Sequence, residues 1–412
     1  MVSFSPEFRA PLHGVRVLSF GSFVAGNICA LMLAELGAEV VKIESKDRPE
    51  ALRAYDAPGQ AEVYEPSGIR TTALFAGMTR SLRSVCINMT NEFGRDTFRS
   101  LVAKADVVLE NLGPGTMTSW NCAFADLRVI NPALVMLSIS GYGRTGPLAQ
   151  YRAYASNINN FLGLTSAWAP DGIHFDFVAG THGASGVVAA LAAVDQGAPG
   201  VLIDMAQTEA GAAIMAPLYL DFLANGREWN AEPNEVPGSL CSGVFRCAGD
   251  DAWLAVELED LDDWATMCAL LDRSDLDLST GKATVDLQKR MRAAIGAWCT
   301  LLTPFQAALK LQQRGLAAGP VQNSEDLWRD VQLRDRGAFI EVHHPDLGSL
   351  EYPEVPTPLG RIRGETARRG PRLGEHTDVV LREWMGYNAT ELTDLETQGA
   401  IWRPDGDVDA GD

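Results

Sequence analysis

Residues 14–44 constrain the fold of this chain more than any other segment. Residues 14–20 (GVRVLSF) and 38–44 (AEVVKIE) are short runs dominated by apolar residues. Between them, residues 28–36 carry apolar side chains at helical spacing and stop at Gly37, a residue suited to the left-handed turn that closes a helix. Two strands joined through a helix cannot form a tight hairpin. They pair in parallel, with the helix crossing over. The pattern recurs, with strands expected at 83–88, 105–110, 134–140 and 201–204 and helices at 94–103, 183–194 and 207–228. Asp204 followed by Gln207 matches a helix-capping box. The fold class expected is α/β, with a Rossmann-like doubly wound large domain and right-handed crossovers.

Past residue 228 the pattern changes. Residues 234–249 are rich in Gly, Pro, Ser and Cys, 253–257 read as a strand, and 260–315 read as mostly helical. This is the signature of a smaller α/β domain. The division expected is 1–228 for the N-terminal part of the large domain, 229–330 for the small domain with its linkers, and 331–412 for the remainder.

Charge and cysteine usage narrow the partners. The chain has 34 Lys and Arg against 53 Asp and Glu, a formal charge of −19. A surface this acidic argues against nucleic acid and anionic membrane as partners. The seven cysteines are odd in number and form no Cys-x-x-Cys pair, which reads as reduced thiols in a cytoplasmic protein. The six histidines do not sit with cysteines at ligand spacing, so no metal is expected. No unbroken apolar run reaches the roughly 18 residues of a membrane span.

Five segments carry a resemblance. They are 11–18 (PLHGVRVL) with 33–44 (LAELGAEVVKIE), 83–85 (RSV), 105–117 (ADVVLENLGPGTM), 126–135 (DLRVINPALV) running into 138–147 (SISGYGRTGP), and 372–377 (RLGEHT). In this order they resemble the family III coenzyme A transferases. The resemblance implies a large domain built from both chain ends, so that 331–412 return to it. It also implies two subunits interlocked as threaded rings. The implied chemistry is transfer of CoA between acids through an aspartate, with the CoA thioester as a substrate and no permanently bound cofactor.

That aspartate stands four residues before a glycine, ahead of an apolar helix. Taking the glycine as Gly183 and the helix as ending in 191–194 (LAAV), its position is Ala179, which can neither attack a thioester nor accept a proton. Asp176 is the fallback, three residues away and up to about 10 Å along an extended chain. The histidine of the family's racemase branch is replaced by Tyr154, and His182 reads as a structural hydrogen-bond donor. The CoA-binding candidates are Phe23, Arg80, Arg83, Asn111 and Leu112, while Ser45, Leu82 and Ser119 stand where relatives carry basic residues. Arg80, Arg83 and Arg144 read equally as surface or interface arginines. The leading expectation is a subunit without its own catalytic residue, completed by a homologous catalytic partner. Its donor is succinyl-CoA and its acceptor benzylsuccinate, an acid of anaerobic toluene degradation. The alternatives are a homodimeric transferase using Asp176 and a non-enzymatic assembly protein of the same fold.

Overall fold

The computed structural model describes residues 10–54, 63–65, 68–164, 172–228, 234, 236, 238–278, 283–354, 356 and 368–404. The chain divides into two compact units, Met1–Tyr219 with Gly337–Asp412, and Leu220–Arg336. The cuts fall at 219/220 and 336/337, against the expected 228/229 and 330/331.

In the larger unit the strands in chain order are β1 (Arg16–Phe20), β2 (Glu39–Glu44), a short pair β3 (Val63–Tyr64) and β4 (Arg70–Thr71), then β5 (Arg83–Ile87), β6 (Val107–Glu110), β7 (Val135–Ser140) and β8 (Leu202–Ala206). The smaller unit contributes β9 (Cys241–Arg246), β10 (Trp253–Leu258) and β11 (Ala317–Val321). The chain then returns with β12 (Phe339–His344), β13 (Gly348–Pro353) and β14 (Ile401–Trp402). The main sheet runs β14-β5-β2-β1-β6-β7-β8. All its neighbours are parallel except β14, which pairs antiparallel with β5. β1 is central, Val17 facing Val40 on one side and Val107 on the other. Strand order reverses between β1 and β6, as the repeated strand–helix–strand units require.

Two helices sandwich closely on one face of this sheet. Phe23–Glu35 is buried nearly all round, and His174–Asp195 packs along it. Glycines permit the approach: a Cβ on Gly180 would lie 2.7 Å from Ile28 Cγ2 and 3.0 Å from the Ala25 carbonyl oxygen. The second helix therefore starts at His174, not at the expected 183, because Gly180 and Gly183 serve packing and do not break it. The expected cap at Asp204 is also corrected. β8 continues through Asp204, the next helix is capped at Ala206, and the Asp204 carboxylate accepts from the Arg144 backbone N–H at 3.0 and 3.1 Å.

The returning segment is held by buried charge. Arg53 is fully buried and bonds Glu44 at 2.8 and 2.9 Å, Glu65 at 2.6 Å and the Pro371 carbonyl at 3.1 Å. The Leu373 N–H donates to Glu65 and the Gly374 N–H to Ser84 Oγ, each at 2.8 Å. The smaller unit combines a three-stranded antiparallel sheet, β11-β10-β9, with helices that include Leu261–Leu271, Val285–Cys299 and Pro304–Gln312. Its core includes Trp264, whose indole N–H donates to the Leu276 carbonyl at 2.8 Å. All seven cysteines are buried free thiols.

Candidate active site

In a doubly wound sheet the binding crevice opens at the carboxyl ends of the strands, where strand order reverses. Here that point lies between Gly21-Ser22-Phe23 after β1 and Asn111-Leu112 after β6. Asn111 joins the two loops. Its Oδ1 accepts from the Ser22 N–H at 2.7 Å and its Nδ2 donates to the Ser22 carbonyl at 2.7 Å. The side chain lies so close to Gly26 that a Cβ there would be 2.7 Å from Oδ1. Phe23 takes a left-handed φ of +53°, unusual for a bulky residue.

The first loop is fixed from beneath by Lys42 on β2, whose buried ammonium donates to the Gly21 carbonyl, bonds Asn27 Oδ1 at 2.9 Å and pairs with Glu50 at 2.5 Å. The second is fixed by Glu110, which accepts from the Leu112 N–H at 2.8 Å and pairs with Arg144 at 2.5 Å. Arg144 also donates to the Leu112 carbonyl at 3.3 Å. These supports were not legible beforehand: Lys42 and Glu110 sit inside strands, where the pattern reads only as apolar core.

Asp176 lies in the first turn of the His174–Asp195 helix, half-buried, with one carboxylate oxygen accepting from Gln207 Nε2 at 3.0 Å. Gln207 follows directly on β8, and Thr208 beside it donates through both N–H and Oγ1 to the Gly141 carbonyl at 3.0 Å. Asp176 therefore sits at the carboxyl ends of β7 and β8. Burial pushes its carboxyl above the ordinary aspartate range, and the Gln207 hydrogen bond opposes the rise. Tyr154 is 55% exposed, and its ring meets Phe23 edge-on at 5.6 Å.

Ala179 is placed differently from expectation. Its methyl is 0% exposed, in a core cluster with Val17, Ala25, Cys29, Leu137, Ile139 and Val187. A residue there faces packed hydrocarbon and has no open side from which to meet a thioester. Three positions in this helix stand four residues before a glycine: Asp176 before Gly180, Ala179 before Gly183 and His182 before Gly186, and only the first is an aspartate. Asp176 is the one at the carboxyl end of the sheet, beside Gln207.

The two arginine candidates are also not brought to this edge. Arg83, the first residue of β5, pairs with Glu39 at 2.8 Å and Glu383 at 2.5 Å at the opposite, amino-terminal edge. Arg80 is buried and bonds Glu35 and the Gly77 carbonyl. Both guanidinium groups are paired with carboxylates of the same chain. Leu82 is core, and Lys46 stacks over Trp402 at 4.9 Å. His182 bonds the Val178 carbonyl one helical turn back at 2.9 Å. Gln207 follows β8 directly and its amide meets Asp176, a placement its reading as a capping partner of Asp204 does not give. Among the described residues no group of three His, Cys, Asp or Glu is arranged to hold a metal ion.

The model of "CoA-transferase family III" matches residues 12–377. The succinyl-CoA–L-malate CoA-transferase alpha subunit of Chloroflexus aurantiacus is 30% identical over 95% of this chain and 93% of its own length. The beta subunit is 28% identical over 95% and 98%. The chain spans about half, 51%, of the length of the probable CoA-transferase Rv1866 of Mycobacterium tuberculosis, to which it is 28% identical over 96% of its own residues. The crystal structure of a CAIB/BAIF family protein from Brucella suis superposes with a TM-score of 0.81 at 25% identity, covering 92% of this chain and 100% of that one. A family match over most of the chain, together with an α/β fold built on the same parallel sheet, makes this chain a member of CoA-transferase family III.

Proposed function

We propose that this chain is a CoA-transferase that moves CoA from succinyl-CoA to a second dicarboxylic acid, with its own Asp176 as nucleophile. The observation that carries the reading is the contrast between a half-buried Asp176 carboxylate at the carboxyl edge of the sheet and a sealed Ala179. The Asp176 carboxylate attacks the thioester carbonyl, forming a C–O bond as the C–S bond breaks. The products are a mixed anhydride and the CoA thiolate. The thiolate attacks the aspartyl carbonyl and releases succinate, leaving an aspartyl-CoA thioester. The acceptor carboxylate attacks that thioester, and the thiolate then collects the new acyl group and restores Asp176. No net proton is moved. Asn111, with Phe23 and Leu112, is the part of the crevice assigned to the CoA chain.

The relatives' names support succinyl-CoA as donor and a dicarboxylic acid such as malate as acceptor. Benzylsuccinate is an aromatic member of that class, and the exposed rings of Phe23 and Tyr154 at the mouth favour such a substrate. An acceptor panel of malate, glutarate and benzylsuccinate decides between them. A second reading, assembly with a homologous subunit, is favoured by the alpha and beta subunits among the relatives. In either case the assembly is an interlocked two-subunit ring. The deciding experiment incubates the purified chain alone with succinyl-CoA, traps with hydroxylamine and maps the adduct by mass spectrometry. Modification at Asp176 is the expected result. No adduct without a homologous partner would return the nucleophile to that partner.

A further inference from the structure

We propose that Gln207 is a catalytic hydrogen-bond donor, acting on the oxyanion that forms on Asp176 itself whenever the aspartyl carbonyl is attacked. This rests on Asp176 being the nucleophile. The Gln207 amide lies 3.0 Å from one oxygen of the carboxylate. In the free enzyme this bond fixes the carboxylate rotamer and leaves the other oxygen to attack. Once the anhydride has formed through that other oxygen, the oxygen held by Gln207 is the carbonyl oxygen of the aspartyl group. Two steps load negative charge onto it: thiolate attack on the anhydride, which expels succinate, and acceptor attack on the aspartyl thioester, which expels thiolate. A donor at 2.7–3.1 Å from a developing oxyanion is worth about 10²–10³ in rate.

The placement is rigid, as such a donor requires. Gln207 is 7% exposed and starts a helix whose next residue, Thr208, is clamped twice to the Gly141 carbonyl. β8 precedes it without a loop. The steps in which the substrate carbonyl is attacked place charge on the substrate's own oxygen, beyond this amide. Loss of Gln207 therefore slows some steps and spares others, a pattern a merely structural residue does not give.

The test uses the full chain with Gln207→Glu, which preserves shape but replaces the donor with an acceptor when ionised, and Gln207→Met, which removes polarity. Rapid-quench mixing with succinyl-CoA and intact-mass analysis separates the succinyl adduct (anhydride) from the CoA adduct (thioester). Wild type is expected to pass quickly to the CoA adduct. Both variants are expected to form the succinyl adduct at near the normal rate and the CoA adduct about 10²–10³-fold more slowly. In Gln207→Glu, the CoA-adduct rate measured from preformed anhydride is expected to rise as pH falls, since a protonated Glu donates like the amide. Equal CoA-adduct rates in wild type and both variants overturn the role of Gln207 while leaving Asp176 as nucleophile. Absence of any Asp176 adduct in wild type overturns both. A uniform slowing of every step that Gln207→Glu does not recover at low pH reduces Gln207 to a packing residue.

Discussion

Ala179→Asp puts a carboxylate where the simplest motif register expects the nucleophile, and the structure fixes what that costs. The methyl of Ala179 has no exposed surface and belongs to the core cluster that includes Val17, Ala25, Cys29, Leu137, Ile139 and Val187. The helix cannot back away: Cβ positions at Gly180 and Gly183 would already lie 2.7 Å from Ile28 and 3.0 Å from Leu137. Forcing in the extra atoms costs about 1–3 kcal/mol. The carboxyl escapes the far larger cost of a buried bare charge by staying protonated, and a rise of about three pKa units costs about 4 kcal/mol at neutral pH. The sum, about 5–7 kcal/mol, rivals the whole stability of an ordinary domain. The sign with pH follows. The folded variant holds a proton that the unfolded chain gives up near pH 4, so its stability falls by about 1.4 kcal/mol per unit as pH rises from there towards neutrality. Ala179→Asn, similar in shape and uncharged, carries the packing cost without that slope. Urea denaturation of both variants between pH 5 and 8 measures the difference. An Ala179→Asp protein as stable as wild type, or one that gains a second acyl label at residue 179, would refute the placement.

Asp176→Asn is expected to lower kcat about 10⁴-fold or more and abolish the acyl adduct, with folding unchanged by circular dichroism. Asn111→Ala removes two 2.7 Å bonds to Ser22 at about 1 kcal/mol each, and a raised KM for succinyl-CoA with a smaller change in kcat is expected in steady-state assays. Arg83→Ala, at the opposite edge, is expected to cost about 1 kcal/mol or less and leave that KM unchanged. Burial, together with nearby Arg83, Arg368 and Arg369, outweighs Glu375 and pushes His376 down to about 4, and its Nδ1 accepts the Ser84 N–H at 3.2 Å. The folded state disfavours the charged ring, so this contribution is complete above pH 6.5 and lost as pH falls from 6.5 to 4. It amounts to about 3 kcal/mol, and His376→Gln should flatten thermal denaturation across that window.

The parallel sheet was legible because β1, β2, β5, β6 and β7 are buried on both faces and read as apolar runs, while helical spacing and Gly37 marked the crossover. Phe23, Asn111 and Leu112 were named from the family resemblance, and the structure places them on the loops after β1 and β6. The failures share a cause, which is that spacing along a chain says nothing about facing. Asp176 and Ala179 lie less than one helical turn apart, and one meets Gln207 while the other meets hydrocarbon. Arg80 and Arg83 look like a basic cluster until their carboxylate partners, Glu35, Glu39 and Glu383, arrive from distant parts of the chain. Asp204 resembled a cap because the strand before it runs two residues further than its apolar stretch.

The knot around Arg53 has a consequence for the order of synthesis. Its partners include Pro371 and Leu373, and the sheet edge is completed only by Ile401–Trp402. When residue 336 leaves the ribosome, Leu220–Arg336 is a finished, contiguous unit, whereas the earlier-made half still lacks its edge strand, the Pro371 carbonyl on Arg53 and the Leu373 N–H on Glu65. The segment made second is thus the first able to mature, and the N-terminal half must wait in a partly open state for the last stretch of chain. A stop codon near 370 would therefore strand Arg53 and Glu65 without their seal. The truncated product is expected to be recovered as a protease-resistant fragment of the middle segment alone.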